Sequence, residues 1–501
     1  MKLFAVGVGG SGAKCLEAAI HLHTMGLLDQ EESPPTELGV LFVEPDRQSA
    51  LLQRAQTALV RTQSLHKALG GVTQHFCPGG ELKDYGVWNP VESVAGQGSL
   101  TMAQIYTKHT LQHRSPALGG LMDCLFTQEE QKLDLREGFR GRPPIGSALM
   151  SAIALDDSIH AKTWGRFLGD VRQAAKGGEE VCIHMFGSVF GGTGASGVPT
   201  VGQLLRNWLK NEGIQRAQLN ASLLLPYFNF KDHGTKDTGL HAEASNFQLN
   251  TGAALQYLSQ EDNQDFDRVY LLGSDAKVAY GFSIGGASQA NGAHLVELLA
   301  ALGLRDSLGK TRQAAEAAYT LSRHNQSSVN WSDLPDSAIT RRAMSRGARL
   351  AVVWRNNISL DLEAANGQSL KRFCVGAPWA TRFYPAGSSE EASTLGSRKD
   401  KDARLAADQW SETLLTWLKQ LCSSTGGALE QKLLNPAKLQ VQQMHLESLA
   451  DLVRDRDDGQ VPKRETDVEY LKIKLDRRTS GGNPKGTAGL LDTLWELCDQ
   501  P

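Results

Sequence analysis

The apolar positions of the chain change period at each of its glycine-rich turns. Lys2 to Val8 is apolar and alternating, as a buried strand requires. Gly9-Gly10-Ser11-Gly12 interrupts it. Residues 13–22 then place Cys15, Leu16, Ala19, Ile20 and Leu22 at helical spacing. The change recurs at the centre. Val181-Cys182-Ile183-His184-Met185-Phe186 leads into Gly191-Gly192-Thr193-Gly194-Ala195-Ser196-Gly197, and a helix is expected over 198–209. Further strands are expected at 39–43, at 221–227 ending in Pro226-Tyr227, at 268–272, at 350–354 and at 372–376. A strand with alternating charges is expected over 465–477. Helices are expected at 147–159, 239–258, 291–302, 403–421 and 439–454, with a short amphipathic one at Leu490-Leu491-x-x-Leu494-Trp495-x-Leu497. Strands alternating with helices imply an α/β fold with a parallel sheet.

Composition narrows the class. A chain of 501 residues has room for two or three domains. Hydrophobic residues at 41% and charged ones at 21% fit a soluble globular protein with a sizeable core. A net charge of −3 gives no field for nucleic acid or an anionic membrane, so no direct nucleic-acid partner is expected. Seven scattered cysteines without a C-x-x-C pair argue against a disulfide framework or zinc site and for reduced thiols in the cytoplasm. No apolar run approaches a membrane span, and the N-terminus makes a poor signal peptide. His66, His75, His109 and His113 lack metal-ligand spacing, and no metal site is expected.

The glycine turns carry the chemistry. A glycine loop between strand and helix lets backbone N–H groups approach an anion, and the helix aims its positive end at the same point. Thr193 and Ser196 add hydroxyl donors. Gly138-Phe139-Arg140-Gly141-Arg142-Pro143-Pro144-Ile145-Gly146 is a further cradle opening a helix, with Arg142 a candidate charge-assisted phosphate contact. The P-loop pattern is absent from the central loop, because no lysine follows its last glycine. Gly7-x-Gly9-x-x-Gly12, with Glu44 closing the second strand, also satisfies a dinucleotide fingerprint and keeps an NAD(P)-dependent enzyme open.

Five elements in order resemble the tubulin/FtsZ superfamily across residues 5–249. Gly7-Val8-Gly9-Gly10-Ser11-Gly12 is similar to its first glycine loop. Glu44-Pro45-Asp46-Arg47-Gln48-Ser49-Ala50-Leu51 is similar to N-T-D-x-Q-A-L, with one inserted residue. Gly138 to Gly146 is similar to G-A-G-G-x-P-E-I-G, and the central loop to G-G-G-T-G-[ST]-G with Phe190 in place of the first glycine. Ala242-Glu243-Ala244-Ser245-Asn246-Phe247-Gln248-Leu249 is similar to the start of the family's long central helix. Glu261-Asp262-Asn263-Gln264-Asp265-Phe266 also resembles the loop N-x-D-F.

The resemblance implies a nucleotide-binding domain over 1–238 with an insertion at about 52–137, read as helical with surface loops. A central helix at 239–260, a smaller mixed α/β second domain at 261–400 and a helical C-terminal extension at 401–501 complete it. It implies binding of GTP or GDP, with Mg²⁺, through Gly9, Gly10, Ser11, Gly12, Asp46, Gln48, Gly141, Arg142, Gly191, Gly192, Thr193, Gly194 and Ser196. Asn246 would hydrogen-bond the guanine edge, since an amide offers both donor and acceptor. Copies would stack head to tail into a filament, as a heterologous contact that does not close must. Asp265 would then act on the neighbour's nucleotide in a GTPase reaction. A non-hydrolysing nucleotide-binding scaffold, working through a protein partner at the insertion or the C-terminal helix, is the alternative.

Overall fold

The computed structural model describes residues 1–29, 36–71, 73, 76–77, 80–94, 101–151, 153, 155, 161–230, 244–260, 265–275, 277–281, 286–308, 317–320, 328–364, 377–384, 395–423, 430–441, 445–454, 467–477 and 486–499. Its main strands are β1 (Lys2–Val8), β2 (Glu37–Val43), β3 (Leu82–Trp88), β4 (Val181–Ser188), β5 (Gln218–Leu224), β6 (Phe228–Phe230), β7 (Arg268–Leu272), β8 (Val278–Tyr280) and β9 (Ala317–Thr320). Seven of them form one sheet in the order β3-β2-β1-β4-β5-β7-β9, and every pairing in it is parallel. β6 and β8 pair with each other. The α/β parallel-sheet expectation therefore holds.

The helices that position the site are α1 (Gly9–Thr24), α2 (Ala50–Leu69), α3 (Pro143–Ser151), α4 (Gly192–Asn211), α5 (Phe247–Leu258), α6 (Leu295–Asp306), α7 (Ser337–Val353), α8 (Arg398–Ser423) and α9 (Gly486–Leu497). Alternation along the strands sorts them into two layers. Leu3 and Ala5 of β1 face a core shared with α1, α2, α6, α7, α8 and α9. Phe4, Val6 and Val8 face another, filled from α3, α4 and the helix Arg166–Lys176. Both faces are covered, as an all-parallel sheet requires. Chain order reverses between β1 and β4, which makes the carboxyl ends of those two strands a topological switch point.

Several elements differ from expectation. Leu350 to Trp354 is helical, in α7 and the π-turn Trp354–Ile358. All five residues are buried, and a short apolar run buried all round fits a core helix as well as a strand. Residues 468–477 form the helix Val468–Arg477 instead of a strand, because Val468, Leu471 and Leu475 fall on one buried helical face. The expected helix at 439–454 is absent from the described residues of that segment. Isolated bridges join Leu434 to Val453 and Ser448 to Asp467, and the side chains of Asn356 and Asn357 donate to the carbonyls of Gln440 and Leu446. Inside the expected insertion, β3 joins the sheet edge beside β2. β7 and β9, from the 261–400 segment, extend its other edge. The apolar face of α9 packs on the chain's own core, with Leu490, Leu491, Leu494 and Trp495 buried, so it is not free for a partner. His75, the strand at 372–376, the N-terminal part of the central helix (239–243) and residues 261–264 of the N-x-D-F match lie outside the described residues.

One buried ion pair pins α4 to the lower end of the sheet. Arg206 Nη2 donates to Asp267 Oδ2 at 2.8 Å and its Nε to the Asp265 carbonyl at 2.7 Å. Asp267 Oδ2 also accepts the Leu219 N–H. Removing one partner of such a pair strands the other charge, so Arg206→Met should cost about 3–5 kcal/mol in denaturant unfolding. Arg206→Met/Asp267→Asn keeps the acceptor for Leu219 and should recover most of that loss. A single variant as stable as wild type would show that the pair does not hold this end.

Candidate nucleotide cradle

Three glycine loops meet at the switch point. One cavity is lined by Gly9, Gly10 and Ser11 after β1, by Gly138 and Gly141 ahead of α3, and by Gly191, Gly192, Thr193 and Gly194 after β4. The loops touch each other. A Cβ on Gly192 would lie 2.9 Å from the Gly141 backbone nitrogen. One on Gly9, whose φ is +73°, would lie 3.2 Å from Thr193 Cβ and 3.3 Å from the Gly194 nitrogen. Asn250 of α5 ties two loops together, its Nδ2 donating to the carbonyls of Gly141 at 3.1 Å and Phe190 at 3.0 Å.

Two helices aim their N-termini into this space. Neither α1 nor α4 has a side-chain cap hydrogen bond, and neither carries an acid in its first turn. α2, by contrast, is capped by the Ser49 hydroxyl, which accepts from the Leu52 N–H. Uncapped N–H groups and two converging dipoles form a site for an anion. The donor set fits a phosphate group. It does not fit a metal held by protein alone: among the described residues no three His, Cys, Asp or Glu side chains gather as ligands.

The remaining candidates divide. Asp46 lines the cavity, but its carboxylate accepts the N–H groups of Gln48 at 2.9 Å and Gly286 at 2.8 Å. Gln48 is exposed and lies outside the lining. Gly12 packs under the Phe186 carbonyl, and Ser196 Oγ donates to the Gly192 carbonyl at 2.8 Å, so both shape the loops without lining the cavity. Arg142 faces Glu130 at 3.7 Å, while Arg140, with φ of 41° and paired with Glu137, lines the cavity in its place. Asn246 is not among the lining residues; its neighbour Phe247 is, and the lining amides are Gln289 and Asn291.

Asp265 lies at the opposite end of the sheet, against the first residues of β5 and β7. A strand of seven residues separates the two ends by roughly 20 Å. Asp265 is 6% exposed, and its Oδ2 accepts no hydrogen bond from the described residues. Burial raises its pKa, with Arg206 and Lys210 pulling the other way.

Sequence patterns did not reveal the cavity's aromatic wall or its floor. Phe190, Phe228, Phe230 and Phe247 form the wall, with Phe190 and Phe247 ring centroids 4.8 Å apart. The alternation Phe228-x-Phe230 was the available signal. Lys14 and Tyr227 lie on the floor, and Lys14 pairs with Glu297 of α6.

Glu44, the candidate ribose acid of a dinucleotide enzyme, lines the cavity and is buried, its Oε1 accepting the Asp46 N–H at 3.1 Å. Burial pushes its carboxyl up to about 8, so it is largely neutral at pH 7. Between its ordinary value of 4.5 and about 8 the folded chain holds a proton that the unfolded chain releases. Stability therefore falls as pH rises through that window, by up to about 1.4 kcal/mol per pH unit. Glu44→Gln should remove this slope. Unfolding of both proteins at about pH 5 and about pH 8 checks it, and parallel pH profiles would contradict the assignment.

No protein-family model and no curated protein matches the sequence. Among solved structures, CetZ1 from Haloferax volcanii, a GDP-bound monomer, is similar at 13% identity and a TM-score of 0.26, over 55% of this chain and 52% of that one. CetZ from Methanosaeta thermophila strain DSM 6194 is similar at 13% identity and a TM-score of 0.24, over 55% and 46%. The chain spans about half the length of these proteins.

Proposed function

We propose that the chain binds a guanine nucleotide and assembles head to tail, with GTP hydrolysed where two copies meet. The observation that carries this reading is the meeting of three glycine loops and two uncapped helix N-termini at one switch point. Phosphates take the backbone N–H groups of the loops and the hydroxyls of Ser11 and Thr193. The base lies toward the aromatic wall, whose apolar faces suit a purine. The choice of guanine rests on the sequence motifs. Gln289 and Asn291 are the cavity amides able to read its edge, the role that the resemblance gives to Asn246. Few carboxylates line the cavity, so a Mg²⁺ bound with the nucleotide would rely on phosphate and water for ligands and would supply neutralisation of phosphate charge.

Catalysis in this reading is divided between copies. Asp265 is too far from its own chain's cavity to serve it, and a head-to-tail contact brings it to the neighbour's. There its carboxylate positions the attacking water and backbone dipoles stabilise the phosphate charge, which a bound Mg²⁺ would neutralise further.

Two experiments test this. Protein denatured after purification should release GTP or GDP; release of NAD(P) would favour the dinucleotide reading instead. Gly191 lines the cavity, and a Cβ there meets only the Ser188 hydroxyl, at 3.2 Å, so Gly191→Val should fold. It should lose GTP affinity by at least about tenfold in calorimetric titration, because each charge-assisted hydrogen bond to phosphate is worth about 1.5–3 kcal/mol. An unchanged affinity would remove the central loop from the site.

The second experiment addresses turnover. Phosphate release per subunit should rise with protein concentration while GTP affinity does not. Asp265→Ala should bind GTP normally and release phosphate at least ~100-fold more slowly. A flat specific activity, or a variant as fast as wild type, would favour the non-hydrolysing scaffold.

A further inference from the structure

A cation lies on the floor of the cavity where no glycine motif calls for one. Lys14 is 2% exposed and lines the cavity between the first glycine loop and Tyr227. Its ammonium pairs with Glu297 and stands 5.8 Å from the centroid of the Tyr227 ring. Glu297 is 1% exposed and held from its other sides. Tyr227 Oη donates to Oε1 at 2.6 Å, and the His294 N–H donates to Oε2 at 2.8 Å. The carboxylate is thus satisfied by neutral donors even without the lysine.

The lysine is not. An ammonium has three N–H donors, and among the described residues Glu297 is the one acceptor of Lys14. The other charged residues around the cavity are already engaged. Arg140 pairs with Glu137, and the Asp46 carboxylate caps two backbone N–H groups. Stability alone does not explain a buried lysine here, since a well-packed apolar pair is often as stable as a buried ion pair. Burial lowers the pKa of Lys14 against the opposing pull of Glu297, so a second anion nearby would favour the charged form.

We infer that Lys14 is a ligand-binding cation, donating to a phosphate oxygen of the bound nucleotide while Glu297 and Tyr227 hold it in place. It supplies from α1 the positive side chain that the central loop lacks. Glu297 is a positioning residue, able to share its lysine with a phosphate because Tyr227 and the His294 N–H still satisfy it. The inference rests on the nucleotide-binding reading and narrows it to ligands carrying phosphate.

The test compares GTP with guanosine, which keeps the base and ribose and lacks the phosphates. Lys14→Met/Glu297→Gln removes both charges together, so neither is left buried alone. In calorimetric titration the double variant should bind GTP at least about tenfold more weakly, the equivalent of about 1.4 kcal/mol, and guanosine within about twofold of wild type. A purely structural role would weaken both ligands together and leave their ratio unchanged. A folded double variant with the wild-type ratio overturns the inference. Should it fail to fold, Lys14→Gln, which keeps an amide donor for Glu297, carries the same test with the same two outcomes. Wild-type protein that binds neither GTP nor GDP would overturn the nucleotide reading itself, and the Lys14 assignment with it.

Discussion

The close approach of three backbone loops at the ends of β1 and β4 constrains everything around it. Gly9 lies against Thr193 and Gly194, and Gly192 against Gly141, at separations that leave no room for a Cβ without displacement. The loops come from three distant parts of the chain, so their contact fixes α1, α3 and α4 relative to one another. It also leaves α1 and α4 without a side-chain cap at the point where their dipoles add. Asn250 extends the same constraint to α5 through two carbonyls.

Behind the loops the interior carries several buried charged and polar side chains, among them Lys14, Glu17, His21 and Glu297. α1 is buried nearly all round, so its polar side chains need partners from elsewhere. Lys14 finds Glu297 on α6, and Glu17 finds Arg54 on α2. Arg54 also donates to the Asn291 carbonyl at 3.0 Å and to Gln420 of α8 at 2.9 Å. The C-terminal helices are therefore tied to the cavity floor through hydrogen bonds as well as apolar packing. Asp492 of α9 accepts the Phe76 N–H, and Asp400 of α8 accepts the N–H and hydroxyl of Thr487. The segment after residue 400 behaves as a wall of the core.

What the sequence revealed follows from how narrowly each feature limits residue choice. Close backbone approach and positive φ restrict a position to glycine, so the loops at Gly9 and Gly192 could be read directly. Strands buried on both faces appear as apolar runs, and β1 and β4 fell where expected. Side-chain roles were harder to read, because they depend on partners distant in sequence. Nothing near Lys14 announces Glu297. Arg140, at positive φ, lines the cavity and Arg142 does not. The apolar run at 350–354 carries no period that could separate a core helix from a strand. At 468–477 alternating charge suggested a strand, while burial follows Val468, Leu471 and Leu475.

A parallel sheet has distinct ends, and this chain places different chemistry at each. The carboxyl ends of β1 and β4 hold the glycine loops and a lysine. The amino ends of β5 and β7 hold Arg206, Asp265 and Asp267, a buried cluster with one carboxylate oxygen that accepts no hydrogen bond from the described residues. Leaving a buried acceptor unmet costs about 1–3 kcal/mol, so such an oxygen is retained at a cost. On the proposed head-to-tail assembly the two ends face each other across every contact. Arg206 then has a double duty. It neutralises Asp267 to hold β7, and its bond to the Asp265 carbonyl fixes the backbone of that buried acid. Burial raises the Asp265 pKa, against the opposing pull of Arg206 and Lys210. The buried acidic cluster at one end of the sheet and the uncapped helices at the other are, on this assembly, brought opposite each other at each contact.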